Sequence, residues 1–450
     1  MSLIKTVRRS ISAEDRKLKG TEIVHETGGL VFDDGQYIEL ARSKTGNLCF
    51  LNSTQKIPIE SVLYGKENYV PPRIDGSISN ALVLPTERGD CGSTNDLFME
   101  IRGLFTDYGI SVEVAEYLTF FAFSSWFADL LDVAPCLVLS GPAAEVSLIF
   151  RLLHCVVRHG LSVRNLSLRE SRHIPMHLQP TLLIANPHHS IYKLLIVSTY
   201  SGVPLLAGGS LVDLCSAKVI YIGSNAAESP ATEGILHVNI EPCHGKLPMV
   251  ASSVQRQIAA SFQPRLVDYR LKYALRVRSF DFDEPEFPSA LRILMWVMGA
   301  CIVDELQLQN RLYSLLEEQQ YSLQAKDWFD PMYVAVEVLF EACHADEAKS
   351  RISIGKITDL TNEKLLERGA AVVAPKLIGG NLRSQGFKPW RFSAGFAIEL
   401  TDDARRHIHK IAYDRCVAGA DRFLLPCPHC AELSDAELAE LDAAHMSDEE

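Results

Sequence analysis

Hydrophobic and polar positions change period several times along this chain, and the changes divide it. In residues 1–90, Val31-Phe32 and Tyr37-Ile38-Glu39-Leu40 flank the hairpin signal Asp34-Gly35, and Leu48-Cys49-Phe50-Leu51 follows a turn at Lys44-Thr45-Gly46-Asn47. This predicts a small β-rich N-terminal region. Residues 91–132 predict a helical lead-in. Ser93-Thr94-Asn95-Asp96 supplies N-cap residues for a helix over 97–108, and a second helix covers 111–131. Residues 133–250 alternate short β-rich runs, at 137–139, 163–168, 181–184, 203–206, 219–222 and 236–240, with helical segments. That alternation predicts a mainly parallel α/β core. Residues 251–345 read as a helical lid, with a break at 280–288. Residues 346–415 carry helices followed by a hairpin, and 416–450 hold a cysteine pair and an acidic tail. The longest apolar runs, 117–128 and 290–303, are shorter than the roughly 20 residues of a membrane span, so both read as buried core helices and no membrane partner is expected.

The core begins with Cys136-Leu137-Val138-Leu139-Ser140-Gly141-Pro142-Ala143-Ala144-Glu145-Val146-Ser147, a strand, a turn and an apolar helix. A phosphate-binding loop is G-x-x-x-x-G-K-[ST] after a buried strand. Gly141 fits its first glycine. Val146 stands in place of the second glycine, Ser147 in place of the lysine and Leu148 in place of the hydroxyl. The next apolar strand, Thr181-Leu182-Leu183-Ile184, ends in Ala185-Asn186 where an ATPase has the carboxylates that hold Mg²⁺ and orient water. A third strand, 219–222, runs out to Asn225, the place of a γ-phosphate sensor. Gly141, Ser147, Asn186 and Asn225 are therefore the candidate nucleotide residues. With both charges missing, ATP binding without hydrolysis is the most such a site would do, and no catalytic residue is assigned. Glu145, near the helix N-terminus, would repel phosphate. His188, His189, Arg256, Arg265 and Arg270 remain as polar groups that a ring assembly, a homo-oligomer, could draft as trans-acting residues, against the plainer reading of solvated helix faces.

The C-terminal pattern carries the stronger functional signal. Residues 352–368 give one or two helices ended by Gly369. Ala374-Pro375 opens another, closed by Gly386, and 387–392 and 396–400 form a hairpin around Ser393-Ala394-Gly395. That is the order of a winged helix-turn-helix, with the Pro375 helix as recognition helix and the hairpin as wing. Net charge is -12 over the chain, yet residues 351–415 hold twelve Lys/Arg against seven Asp/Glu. Lys376, Arg383, Lys388 and Arg391 fall on the helix and wing with no acidic residue between 374 and 396, the footprint of phosphate contact. Asn381 and Gln385, four apart, are candidates for base edges. Double-stranded DNA is the expected partner. Use of the same face against a protein is the alternative.

Eleven cysteines lie mostly singly in apolar runs, which suits reduced thiols in a cytoplasmic protein. Cys427-Pro428-His429-Cys430 differs. It supplies half of a zinc site, which His407, His409 or Cys416, or a second copy of the chain, would complete; two free thiols are the other reading.

Taken in order, these parts resemble the AAA-type, D5-like helicase halves of phage and plasmid primase-helicases, over about 93–415, on the partial motifs at Gly141, 182–186 and Asn225. The resemblance implies a P-loop-like three-layer α/β core with helical flanks and a C-terminal winged helix. It implies a role in replication, mobile-element maintenance or regulation. In that family the motif lysine and acidic residues drive ATP hydrolysis. Ser147, Ala185 and Asn186 depart from the pattern, so DNA binding is expected and helicase activity is not. An active ATPase with an atypical site is the competing expectation.

Overall fold

A computed structural model describes residues 23–32, 35–53, 58–199, 205–207, 210–212, 215–223, 235–243, 247–279, 289–344, 350–393, 395–415, 417, 427–428 and 430. The chain forms two compact units, Met1–Glu228 with His237–Ser279, and Ser229–Leu236 with Phe280–Glu450.

The first unit opens with β1 (Ile23–Glu26), β2 (Gly29–Val31), β3 (Tyr37–Arg42), β4 (Leu48–Asn52), β5 (Val62–Tyr64) and β6 (Glu67–Val70). They form two small sheets, β1-β6-β5 and β2-β3-β4. The hairpin expected at Asp34-Gly35 pairs β2 with β3 antiparallel. After α1 (Gly76–Ala81) come α2 (Thr94–Asp107) and α3 (Val112–Ser125). Ser93 caps α2 as expected, its hydroxyl accepting from the Asp96 N–H at 3.1 Å. Every residue of α3 from Ala115 to Ser125 is buried, so the apolar run at 117–128 is core.

Then follow β7 (Cys136–Ser140), α4 (Ala143–Val156), β8 (Leu161–Arg164), β9 (Leu182–Ala185), α5 (His189–Val197), β10 (Leu205–Ala207), β11 (Ser210–Val212), β12 (Lys218–Tyr221), β13 (Ile235–Asn239) and α6 (Ser252–Ser279). The core sheet has the order β13-β7-β12-β9-β8, and its β7-β12, β12-β9 and β9-β8 pairs are parallel. The inner strands β7, β12 and β9 are buried along nearly all their length, as strands covered on both faces are, while β8 at the edge alternates buried and exposed positions. Two expectations fail here. The run at 203–206 is not a core strand: β10 pairs antiparallel with β11 in a separate two-stranded sheet. The run at 163–168 ends early, because Asn165 takes a left-handed φ of 52°.

One buried ion cluster ties the N-terminal sheet into this unit. Glu39 on β3 is fully buried and accepts from Arg158 (2.6 and 3.0 Å) and Arg270 on α6 (2.8 Å), with His159 Nε2 at 2.9 Å. Asp129 holds the other side of Arg270 at 2.8 and 2.6 Å. Burial opposes ionisation of Glu39, but Arg158 and Arg270 outweigh it and hold the carboxyl far below its ordinary range.

The second unit contains α7 (Ser289–Gly299), α8 (Leu306–Asp327), α9 (Pro331–His344), β14 (Arg351–Ser353), α10 (Ile354–Glu367), α11 (Pro375–Ser384), β15 (Trp390–Phe392), β16 (Gly395–Glu399) and α12 (Asp402–Asp414). The segment 251–345, expected as a lid, is thus divided: α6 lies in the first unit and α7 to α9 in the second. Residues 352–368 give one helix, α10. Ser353 caps it, accepting from the Lys356 N–H at 3.1 Å. It ends in a Schellman motif, with Gly369 at φ 77° donating to Leu366 O and Ala370 to Leu365 O. The same pair of bonds, Gly386 to Arg383 O and Phe387 to Leu382 O, ends α11. The strands form one antiparallel sheet, β14-β16-β15. Ile357, Leu365, Ile378, Leu382, Ile398 and Ile408 are buried in its core. Among the described residues no helix is long and apolar enough to cross a membrane.

Candidate functional site

The Gly141 turn does not form the loop that its sequence suggested. Strand β7 ends at Ser140 and α4 begins at Ala143, so only Gly141 and Pro142 lie between them. Val146 and Ser147, expected in and after a phosphate loop, are already inside the helix, and Val146 is buried. The chain after β13 closes the turn from above. A Cβ on Gly141, at φ 127°, would lie 2.3 Å from the Ile240 carbonyl. The Glu145 carboxylate sits in the first turn of α4, is 7 % exposed, and accepts from the Cys243 N–H at 3.1 Å. The place beside the helix N-terminus that an anion would take thus holds the chain's own carboxylate.

Between the two altered motifs stands Tyr221, at the end of β12. Its hydroxyl donates to Gly141 O at 3.1 Å, and its carbonyl accepts from the Asn186 N–H at 3.0 Å. Asn186 is exposed, with φ 52°. Asn225 and His189's side chain lie outside the described residues. Arg270 is consumed by the buried ion cluster, so it is no trans-acting finger, and Arg265 pairs with Glu100 at 2.5 and 3.0 Å. Arg256 is exposed. Glu145 was expected near the helix N-terminus, and the structure adds its bond to the Cys243 N–H; Tyr221 was missed because it matches no motif.

In the C-terminal unit the four expected basic residues are all exposed. Ile378 and Leu382 bury one face of α11, which leaves Lys376, Leu377, Gly380, Arg383 and Ser384 exposed on the other. Lys388 and Arg391 are exposed on the approach to the hairpin and on β15. The Arg383 guanidinium lies over the Phe396 ring of β16 at 5.5 Å, which joins helix and hairpin across the surface. Trp390 and Phe396 are 63 % and 45 % exposed beside these cations. Among the described residues none forms a salt bridge with the four basic side chains. On α10, by contrast, Lys364 and Arg368 are neutralised by Glu337, and Lys364 also by Glu341. Asn381 and Gln385 are only half-exposed, so Arg383 and Ser384 stand further out than the expected base-contacting pair. Asn362, which sequence did not single out, clamps the α10–α11 connection: its amide donates to Val373 O at 3.0 Å and accepts from Val373 N at 2.8 Å.

The cysteine pair is completed from within the same unit. His344 at the end of α9, His409 on α12, Cys427 and Cys430 bring one donor atom each within 4.8 Å of one another. Such a cluster suits a metal such as zinc. His409 was one of the expected partners. His407 was another, and it faces away: its Nε2 meets Gln385 O at 2.7 Å and its ring packs on Phe387. Cys416, the third, lies outside the described residues. His344 was missed because it lies in the segment expected as a lid.

No protein-family model matches the chain, and no curated protein matches it. Among solved structures the chain is similar to an A-form apo structure of the C-terminal region of NrS-1, with TM-score 0.35 and 8 % identity over 81 % of this chain and 96 % of that one. A second structure of that region, residues 305–718, gives TM-score 0.33 and 9 % identity over 81 % and 96 %. A structure of Drosophila ORC bound to DNA gives TM-score 0.20 and 12 % identity over 72 % and 94 %. Likenesses this loose carry no functional weight beside the chain's own residues.

Proposed function

We propose that this chain is a DNA-binding protein in which a P-loop-type core serves as a scaffold and a winged helix makes the contact. Its work would lie in replication, mobile-element maintenance or their regulation. The single observation that carries the reading is the exposure of Lys376, Arg383, Lys388 and Arg391, which form no salt bridge among the described residues. The order α9, β14, α10, α11, β15, β16, with the strands paired as β14-β16-β15, supports the winged-helix assignment and makes α11 the recognition helix. Phosphates would engage the lysines and arginines, and Arg383 and Ser384 would face the groove. For the core, the strand β12 between β7 and β9 supports an AAA-type scaffold, as the sequence resemblance implies. Glu145, Tyr221 and the short Gly141 turn support one that does not turn over ATP.

Phe396 and Leu377, exposed on the hairpin and on α11, favour a second reading in which this surface docks on a protein. Gel shift of duplex DNA, with the four basic residues changed to Ala, separates the two. Loss of binding supports the DNA reading, and DNA binding that is unchanged or never present removes it.

A further inference from the structure

We infer that His344, His409, Cys427 and Cys430 are the four ligands of a structural zinc ion that fastens the C-terminal segment to α9 and α12. The four donor atoms are already gathered within 4.8 Å of one another, the scale of an N₂S₂ site. His344 Nε2 and His409 Nε2 lie 3.3 Å apart, Cys430 Sγ is 3.3 Å from His344 Nε2, and Cys427 Sγ is 3.3 Å from His409 Nε2. Zinc bonds of roughly 2.0–2.1 Å to nitrogen and 2.3 Å to sulfur, set at tetrahedral angles, place neighbouring donors about 3.4 to 3.8 Å apart.

The imidazoles are fixed in the ligating form. His344 Nδ1 meets Phe340 O at 2.8 Å, and His409 Nδ1 meets Arg405 O at 2.7 Å. A carbonyl can only accept, so each Nδ1 carries the proton and each Nε2 presents a lone pair inward. Without metal each lone pair can accept from its neighbouring thiol, Cys430 for His344 and Cys427 for His409; once the thiols give up their protons, all four donors can turn to one cation. The Phe340 ring packs against both imidazoles, at 4.3 and 5.0 Å, and sets their separation. His409 is 1 % exposed and Cys430 7 %.

Charge and chemistry agree with zinc. When Zn²⁺ enters, the two thiols release their two protons to solvent, and two thiolates with two neutral imidazoles give a site of zero net charge. That is a form tolerated in this buried place. Four protein donors leave no open position, which marks a structural centre and not a catalytic one. Mixed imidazole and thiolate donors in a tetrahedron select zinc over the oxygen-seeking Mg²⁺ and Ca²⁺. The ion would join three stretches of chain over the core that holds Ile408, Ala412 and Leu339. The second cluster of metal-capable groups, Asp90, Cys91 and Asp268, makes no comparable case, because Asp268 is already bound by Arg88 and the Cys91 N–H.

The test is metal analysis of the full chain, purified under reducing conditions and dialysed against metal-free buffer. One zinc per chain is expected. Stripped protein titrated with Co²⁺ alone should develop the d–d bands of a tetrahedral site and a thiolate-to-cobalt charge-transfer band. The double variant Cys427→Ser with Cys430→Ser should lose both readouts, and His344→Asn should lose zinc at concentrations where His407→Asn retains it. Full zinc content in the double variant would overturn the assignment. So would a wild-type chain that holds no zinc and gives no cobalt spectrum, including one in which Cys427 and Cys430 form a disulfide that persists under reductant. The wild-type cobalt spectrum decides the matter even where a variant fails to fold.

Discussion

The Tyr221 hydroxyl donates to the Gly141 carbonyl at 3.1 Å, and this bond ties the turn after β7 to the end of β12. A working loop leaves its backbone N–H groups free for phosphate. Here the turn is two residues long, a tyrosine ties it to β12, and Glu145 occupies the adjoining helix N-terminus. The account predicts that millimolar Mg²⁺-ATP leaves the unfolding temperature of the purified chain unchanged. A ligand at 100 times its Kd would stabilise the fold by about 2.7 kcal/mol. Thermal scans with and without nucleotide measure this, and a clear rise with ATP would restore the site to function.

Acid should weaken the first unit through Glu39 and Asp129. Both carboxyls are buried, and their arginine partners hold both below the ordinary values of 4.5 and 3.8. With folded values depressed, the unfolded chain binds more protons at low pH. Their stabilisation is therefore complete above the ordinary values and drains away as pH falls through them toward the folded ones. Glu39→Gln would leave Arg158 and Arg270 short of their shared carboxylate, at a cost of about 3 to 5 kcal/mol at neutral pH. It should also flatten the acid limb. Denaturant melts of both proteins from pH 7 to pH 3 read both effects, and parallel acid limbs would count against the cluster.

Asn362 fixes the turn that leads into α11. Asn362→Ala removes both of its bonds to Val373 and leaves that half-buried backbone amide and carbonyl in need of water, a loss of about 1 to 3 kcal/mol. Asn362→Asp keeps an acceptor for the Val373 N–H but loses the donor, and should fall between wild type and Ala. Urea melts following the C-terminal unit give the order, and equal stability of all three would show that the clamp contributes nothing.

How much of this was legible in sequence depended on the range of the interaction. The core strands at 137–139, 181–184 and 219–222 were visible because each is a short apolar run with a turn beside it. The C-terminal helices were visible because Ser353, Pro375, Gly369 and Gly386 act within a few residues of themselves. Lengths read by motif analogy were less secure. The six-residue spacing that seemed to hold a phosphate loop is mostly helix, because Ala143 and Ala144 favour the helix as soon as Pro142 has set its start. Partners far apart in the chain left no trace. Glu39 meets arginines 119 and 231 residues away. His344 reaches His409 over 65 residues and Cys430 over 86, so the cysteine pair announced a site and could not name its upstream half.

The proposed DNA contact is tested by the salt dependence of duplex binding for wild type and for the variant with Lys376, Arg383, Lys388 and Arg391 changed to Ala. Each phosphate contact contributes about 0.9 to the slope of log affinity against log salt, so the fourfold variant should bind more weakly and with a slope shallower by up to roughly 3.6. Fluorescence anisotropy with a labelled duplex across a salt series gives both slopes. Identical affinities and slopes, or no binding by wild type at low salt, would contradict the assignment of this face to DNA.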